Sequence, residues 1–158
     1  RRTEEICDQI TKRGLAPWLH EKTGLIPDAY FSATKMQWIL QNVEGAREMA
    51  ASGELLFGTI DTWLMYALTG GKVYATDYTN ASRTMLFNLQ TLDWDEELLA
   101  FFGVTRDNLP QVQESGSFFG ETDPALFGAP IPILAVLGDQ QSALFGQGCF
   151  EKSQAKCT

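Results

Sequence analysis

The 158-residue sequence is poor in residues that staple, ligate or carry positive charge. Its three cysteines, Cys7, Cys149 and Cys157, are an odd number at wide spacing. That pattern offers neither a disulfide framework nor the paired ligands of a zinc site, and it suits a reducing, cytoplasmic setting. The one histidine, His20, stands beside Trp18 and Leu19 with no nucleophile or ligand spacing around it, so it reads as a surface or packing residue. Lys and Arg number 12 against 20 Asp and Glu, a net charge of −8. With no basic excess to offset phosphate repulsion, a nucleic-acid partner is not expected. No apolar run approaches the roughly 18 residues that cross a bilayer, so no membrane span is expected either. The opening Arg1-Arg2-Thr3-Glu4-Glu5 has no signal-peptide pattern, and no internal repeat or low-complexity tract occurs.

What is present is ordinary globular material, 44% hydrophobic and 20% charged, enough for one domain with a sizeable core. A charged helix begins at once without a Met, and the final AKCT stops directly after what reads as a short strand or hairpin limb. The expectation is therefore a piece cut at both ends from something longer. The chain is organised around residues 131–148, IPILAVLGDQQSALFGQG. Residues 131–137 are apolar throughout and end on Gly138, which predicts a strand buried on both faces, as in a parallel sheet. Asp139 then stands at the strand's end, and residues 140–145 begin a helix. Ligands of α/β folds gather outside the carboxyl ends of strands, where Asp139, Gln140 and Gln141 would meet a polar substrate. An Asp at such a junction equally serves as a helix N-cap.

The rest reads in order. Residues 3–13 form a short amphipathic helix on Ile6 and Ile10, stopped by Gly14, and residues 15–22 form a second helical piece. Pro27-Asp28 is turn chemistry, Tyr30 ends that loop, and Ser32 offers an N-cap for a helix with Met36, Ile39, Leu40 and Val43 on one face. Residues 46–51 are helical. Leu55-Leu56-Phe57 is a short strand candidate, and Thr59 and Asp61 are competent caps for a helix over 62–68. Residues 73–75 and 85–89 are strand-like. Between them TDYTNASRT, residues 76–84, is almost wholly polar: a solvated loop, or a buried network with Asp77 and Arg83 as charge partners. Asp93-x-x-Glu96 has capping-box spacing before a helix carrying Leu98, Leu99, Phe101 and Phe102. Residues 107–110 are a turn, and the Gly- and Pro-rich 115–130 leads back to the central run.

Five segments carry a family resemblance. GDQQSALFGQ is similar to the GDQQAALFGQ of the FGGY carbohydrate kinase family, in the wording of its glycerol kinases. Arg1-Arg2-Thr3 resembles the RRT that follows the family's VWQ strand. DAYFSATK, residues 28–35, looks like its DPYFSGTK, and ELLFGTIDTWL, residues 54–64, like its ELLFGTVDTWL. TDYTNASRTMLFNLQTLDWD, residues 76–95, is nearly the family wording throughout. Together these span almost the whole chain.

The resemblance implies an α/β, helix-rich fold: part of a ribonuclease H-like domain of the actin/hexokinase-like ATPase superfamily. Residues 1–158 would then be an interior part of the glycerol-side N-terminal domain, with the rest of the kinase chain, including the adenosine-binding domain, as its partner. The implied chemistry is transfer of the ATP γ-phosphoryl group to glycerol, with Mg²⁺. Asp139 matches the catalytic Asp, which also meets the substrate and, through water, the metal; Gln140 and Tyr30 match glycerol-binding residues. Thr158 falls at the start of the family's nucleotide-phosphate segment. In that light the polar 76–84 run is an ordered network near the cleft. Family members assemble as dimers or tetramers, which makes a homo-oligomer the expectation. The family's DxGTTSxR loop and its RET and W-Q glycerol residues do not occur here, so the isolated chain is expected to be inactive. Cys157 replaces the usual Asn and Leu137 a small residue. Residues 121–130 lack the fructose 1,6-bisphosphate sequence and the phosphorylated histidine of some members. The competing readings are an FGGY kinase for another polyol or ketose, and a non-catalytic binding or structural module.

Overall fold

Apolar residues at helical spacing build the molecule, a computed structural model of which describes residues 2–157. The helices are α1 (Glu4–Lys12), α2 (Ala16–Thr23), α3 (Ser32–Asn42), α4 (Ala46–Ala51), α5 (Ile60–Leu68), α6 (Tyr78–Ala81), α7 (Glu96–Phe102), α8 (Pro124–Phe127) and α9 (Asp139–Gly146). The strands are β1 (Ala75–Asp77), β2 (Phe87–Asn88), β3 (Asp93–Trp94), β4 (Gln111–Gln113), β5 (Gly120–Glu121) and β6 (Pro132–Ile133). A 3₁₀ turn covers Arg106–Asn108. The strands pair two by two: β1 with β4 in parallel, β2 with β3 and β5 with β6 antiparallel. This is the helix-rich α/β arrangement expected. Among the described residues no helix is long and apolar enough to cross a membrane.

The core forms where the helical stripes meet. Ile10 of α1, Leu19 of α2, Met36 and Leu40 of α3, and Leu98, Leu99 and Phe102 of α7 close around Met85, Leu86 and Phe87. Gly24 and Gly103 end α2 and α7 in the left-handed region, at φ 70° and 73°, where a β-carbon would be strained. Asn108, 1% exposed, ties the far side together: its Nδ2 donates to the carbonyls of Ala50 at 2.9 Å and Leu55 at 3.1 Å.

Several local expectations change. The 131–137 run is not a strand buried on both faces. Only Pro132–Ile133 pairs, antiparallel with Gly120–Glu121, and Ile131 and Leu134 are 47% and 62% exposed. Pro132 removes a ladder donor, and one face alone finds apolar company, as Ile133 and Val136 pack on Met65, Ala75 and Phe119. Residues 55–57 form no strand, because Phe57 N bonds the isolated carbonyl of Asn108 at 2.8 Å rather than a ladder. Ser32 is the first residue of α3, not its cap. Val43 is its extended C-cap, 48% exposed. The capping role falls to Asp95, whose side chain accepts from Glu97 N and Leu98 N, while Asp93 turns to the Arg106 guanidinium. Thr59 and Asp61 make no cap bond to α5; Asp61 accepts from Thr76 Oγ1 at 2.7 Å instead.

Candidate active site

The site grows from the end of β1. Asp77 is wholly buried and caps α6. Its Oδ2 accepts from Thr79 N at 2.9 Å, Thr79 Oγ1 at 2.6 Å and Ser115 Oγ at 2.6 Å. Its Oδ1 accepts from Asn80 N at 3.1 Å and Asn80 Nδ2 at 2.7 Å. The 76–84 run is thus an ordered network, with four of the five donors to Asp77 placed by the four-residue α6 and the fifth, Ser115, brought from 38 positions away. The expected Asp77–Arg83 ion pair does not form. The orphan N–H groups at the start of α6 take the carboxylate, and Arg83 lays its guanidinium over the Phe31 ring at 4.8 Å.

A cleft of about 530 Å³ opens beside this network. It is lined by Tyr30 and Lys35, by Thr59 and Ile60, by Gly138, Asp139 and Gln140, and by Thr79, Asn80 and Arg83. The Asp28 turn aims Tyr30, as its Oδ1 accepts from Tyr30 N at 2.7 Å. Lys35 Nζ then donates to the Tyr30 carbonyl at 2.6 Å, fastening the loop to the first turn of α3. The ring packs edge-on against Phe31, with centroids 5.6 Å apart, and lies 5.8 Å from Lys35 Nζ and 5.9 Å from the Arg83 guanidinium. Tyr30 is 71% exposed.

Asp139 opens α9 at its first helical position, while Gly138 occupies the cap position. Its cap-like bond is to the neighbouring Gln140 N at 2.8 Å, with Gln140 Nε2 3.4 Å from the other oxygen. The carboxylate is exposed and keeps lone pairs toward the cleft. Lys156 Nζ donates to Gln140 Oε1 at 2.6 Å, which orients the amide and leaves its Nε2 hydrogens as donors. Among the described residues no three His, Cys, Asp or Glu side chains gather as a metal cage.

Tyr30, Asp139 and Gln140, separated by up to 110 positions in sequence, therefore share one cleft. Thr158, assigned to the nucleotide, lies outside the described residues. Lys35, Thr79 and Ser115 were not singled out from the sequence. The signal for Thr79 was the Asp77-x-Thr79-Asn80 spacing, a carboxylate followed by two donors within reach, as in an Asx turn or N-cap. His20 stays outside the site, its Nδ1 3.3 Å from the Leu25 carbonyl. The three cysteines are free thiols.

Comparison with known proteins adds the family. Residues 1–146 match the N-terminal domain of the FGGY family of carbohydrate kinases. The chain is 60% identical to a glycerol kinase of Carboxydothermus hydrogenoformans and 59% identical to one of Symbiobacterium thermophilum, over its whole length in each case. It spans about a third of those relatives, 32% of each. A solved structure of Plasmodium falciparum glycerol kinase with ADP superposes at a TM-score of 0.94 and 36% identity, over 99% of this chain and 31% of that one. A xylulose kinase from Lactobacillus acidophilus shares the fold at a TM-score of 0.78 and 24% identity, over 92% and 30% of the two chains. These neighbours have the actin/hexokinase-like ATPase fold. With the domain match covering nearly all of its length, this chain belongs to the FGGY family of carbohydrate kinases.

Proposed function

We propose that this chain is the glycerol-side segment of an ATP-dependent glycerol kinase, which transfers the γ-phosphoryl group to a terminal hydroxyl of glycerol. The remainder of the N-terminal domain and the adenosine-binding domain belong to a longer cytoplasmic chain, of which these 158 residues supply about a third. The observation that carries the reading is the convergence of Asp139, Gln140 and Tyr30 on one cleft. Near-60% identity to glycerol kinases, against 24% to a xylulose kinase, favours glycerol over another polyol or ketose.

Phosphoryl transfer asks a protein chiefly for positioning, charge stabilisation and a group to take the nucleophile's proton. Asp139 takes that proton as the glycerol oxygen attacks. Among the described residues its exposed oxygens accept only from Gln140 and face no cation, so they are open as acceptors. Gln140 Nε2 and the Tyr30 hydroxyl hold the other glycerol hydroxyls and set which terminal carbon faces the phosphate. Mg²⁺ is bound mostly by nucleotide phosphates and one or two carboxylates, so of this chain's residues Asp139 would help hold it, through water, and the ion would supply neutralisation of charge on the transferring group. The isolated 158-residue chain lacks the means to hold ATP in line and does not turn over.

The test is Asp139→Asn in the longer chain that carries this segment. Loss of a general base costs about 10²–10⁴-fold in kcat, while glycerol affinity measured by calorimetry stays close to the parent value. Turnover within a few-fold of the parent would return Asp139 to the role of a helix-start residue.

A further inference from the structure

We infer that Thr79 is a positioning residue for Asp139: its hydroxyl, oriented by the buried Asp77 carboxylate, pins the Gly138 N–H and thereby sets where α9 begins. The inference rests on reading Asp139 as the base. Gly138 N donates to Thr79 Oγ1 at 2.7 Å across 59 positions of sequence. A hydroxyl has one hydrogen, a carboxylate only accepts, and an amide N–H only donates. The chain of bonds therefore runs one way, from Gly138 N–H to Thr79 Oγ1 and from the Thr79 hydrogen to Asp77 Oδ2, 2.6 Å away.

The anchor at the far end is rigid. Asp77 is 0% exposed, and five donors hold it. One of them, Ser115, makes a second attachment to the same segment, since its carbonyl accepts from Val136 N at 2.9 Å. Val136 and Gly138 are thus both hydrogen-bonded to the polar network, and Asp139 follows directly. α9 itself buries no side chain, so hydrogen bonding ahead of it places the carboxylate more than packing does. Gly138 fits the arrangement closely: a β-carbon there would meet Gln141 Oε1 at 2.7 Å and Thr79 Oγ1 at 3.4 Å.

The test uses Thr79→Val, Thr79→Ser and Asp139→Asn in the longer chain, with Thr79→Ala as a second variant should Val not fold. Misplacing a reacting group by about 1 Å costs up to 10²-fold, so Thr79→Val is expected to lower kcat by about 10- to 100-fold. KM for glycerol should stay within about threefold, and Thr79→Ser, which keeps the hydroxyl, should restore most of kcat. In an Asp139→Asn background Thr79→Val should cost less than about twofold more, because residues acting as a unit are not additive. In the longer chain, amide exchange at Gly138 should quicken at least about tenfold with Thr79→Val while Leu99, inside α7, stays protected. An inactive Asp139→Asn beside an unimpaired Thr79→Val overturns the inference and spares the base. An equal fall of Thr79→Val in both backgrounds, or unchanged Gly138 exchange, overturns it too, by making Thr79 merely structural or unbonded. An active Asp139→Asn overturns the base and this inference together.

Discussion

Replacing Tyr30 by Phe separates holding a substrate from reacting with it. Among the described residues no group of the chain hydrogen-bonds the Tyr30 hydroxyl, and the residue is 71% exposed at the cleft. Its fixed parts are elsewhere. The backbone is held by Asp28 and Lys35, and the ring by Phe31, all of which Phe retains. Removing the oxygen therefore takes nothing from the fold, and Tm is expected to stay within about 1 °C. If the hydroxyl donates to a glycerol hydroxyl that does not react, the bond is present in ground and transition states alike. Its loss raises KM and leaves kcat nearly alone. A neutral hydrogen bond is worth about 0.5–1.5 kcal/mol net, and about 1.4 kcal/mol is tenfold, so KM should rise roughly two- to tenfold. The assay is steady-state kinetics on the longer chain with glycerol varied at saturating ATP, beside a melting curve. An unchanged KM refutes the assignment. A large fall in kcat at unchanged Tm would instead mean that the hydroxyl aligns the reacting oxygen.

Two further predictions concern the framework. Asn108→Ala should cost about 2–4 kcal/mol in urea unfolding, because the carbonyls of Ala50 and Leu55 and the Thr105 hydroxyl lose their partner at once. Asn108→Asp should cost more at neutral pH, since it turns an acceptor on two acceptors. Burial pulls the Asp95 carboxyl up, but Lys22 Nζ, the Asn88 amide and Leu98 N–H outweigh it and hold the group below the usual carboxylate range. Its folded value is depressed, so its contribution is complete above the unfolded value of about 3.9 and fades as pH falls through the folded one. Asp95→Asn should therefore weaken folding at pH 7 and flatten the acid limb of stability; an unaltered limb would refute the assignment.

Much of the framework was legible because it depends on local pattern. Ile10, Leu40 and Leu98 sit where helical spacing puts them, and Gly24 and Gly103 stop helices where only a left-handed turn can. The capping misreadings share one cause. Whether Ser32, Asp93 or Asp95 caps a helix depends on which donors come within about 3 Å, and spacing leaves that open by one or two residues. The 131–137 run fails for a longer-range reason. Apolar composition announces burial, but burial on both faces needs neighbours on both faces, and the described residues supply one.

For the site, the wording of GDQQSALFGQ, DAYFSATK and TDYTNASRT by itself pointed to the family and named Asp139, Gln140 and Tyr30 as its candidates. What sequence cannot carry is the fold's choice of who meets whom across long separations. Only the tertiary structure decided that Asp77 would refuse Arg83, five residues beyond the α6 start it caps, and take Ser115 from 38 positions away. The same is true of Thr79 holding Gly138. A buried carboxylate must be satisfied by whatever donors surround it, and those donors are set by how β1, α6 and the approach to α9 pack.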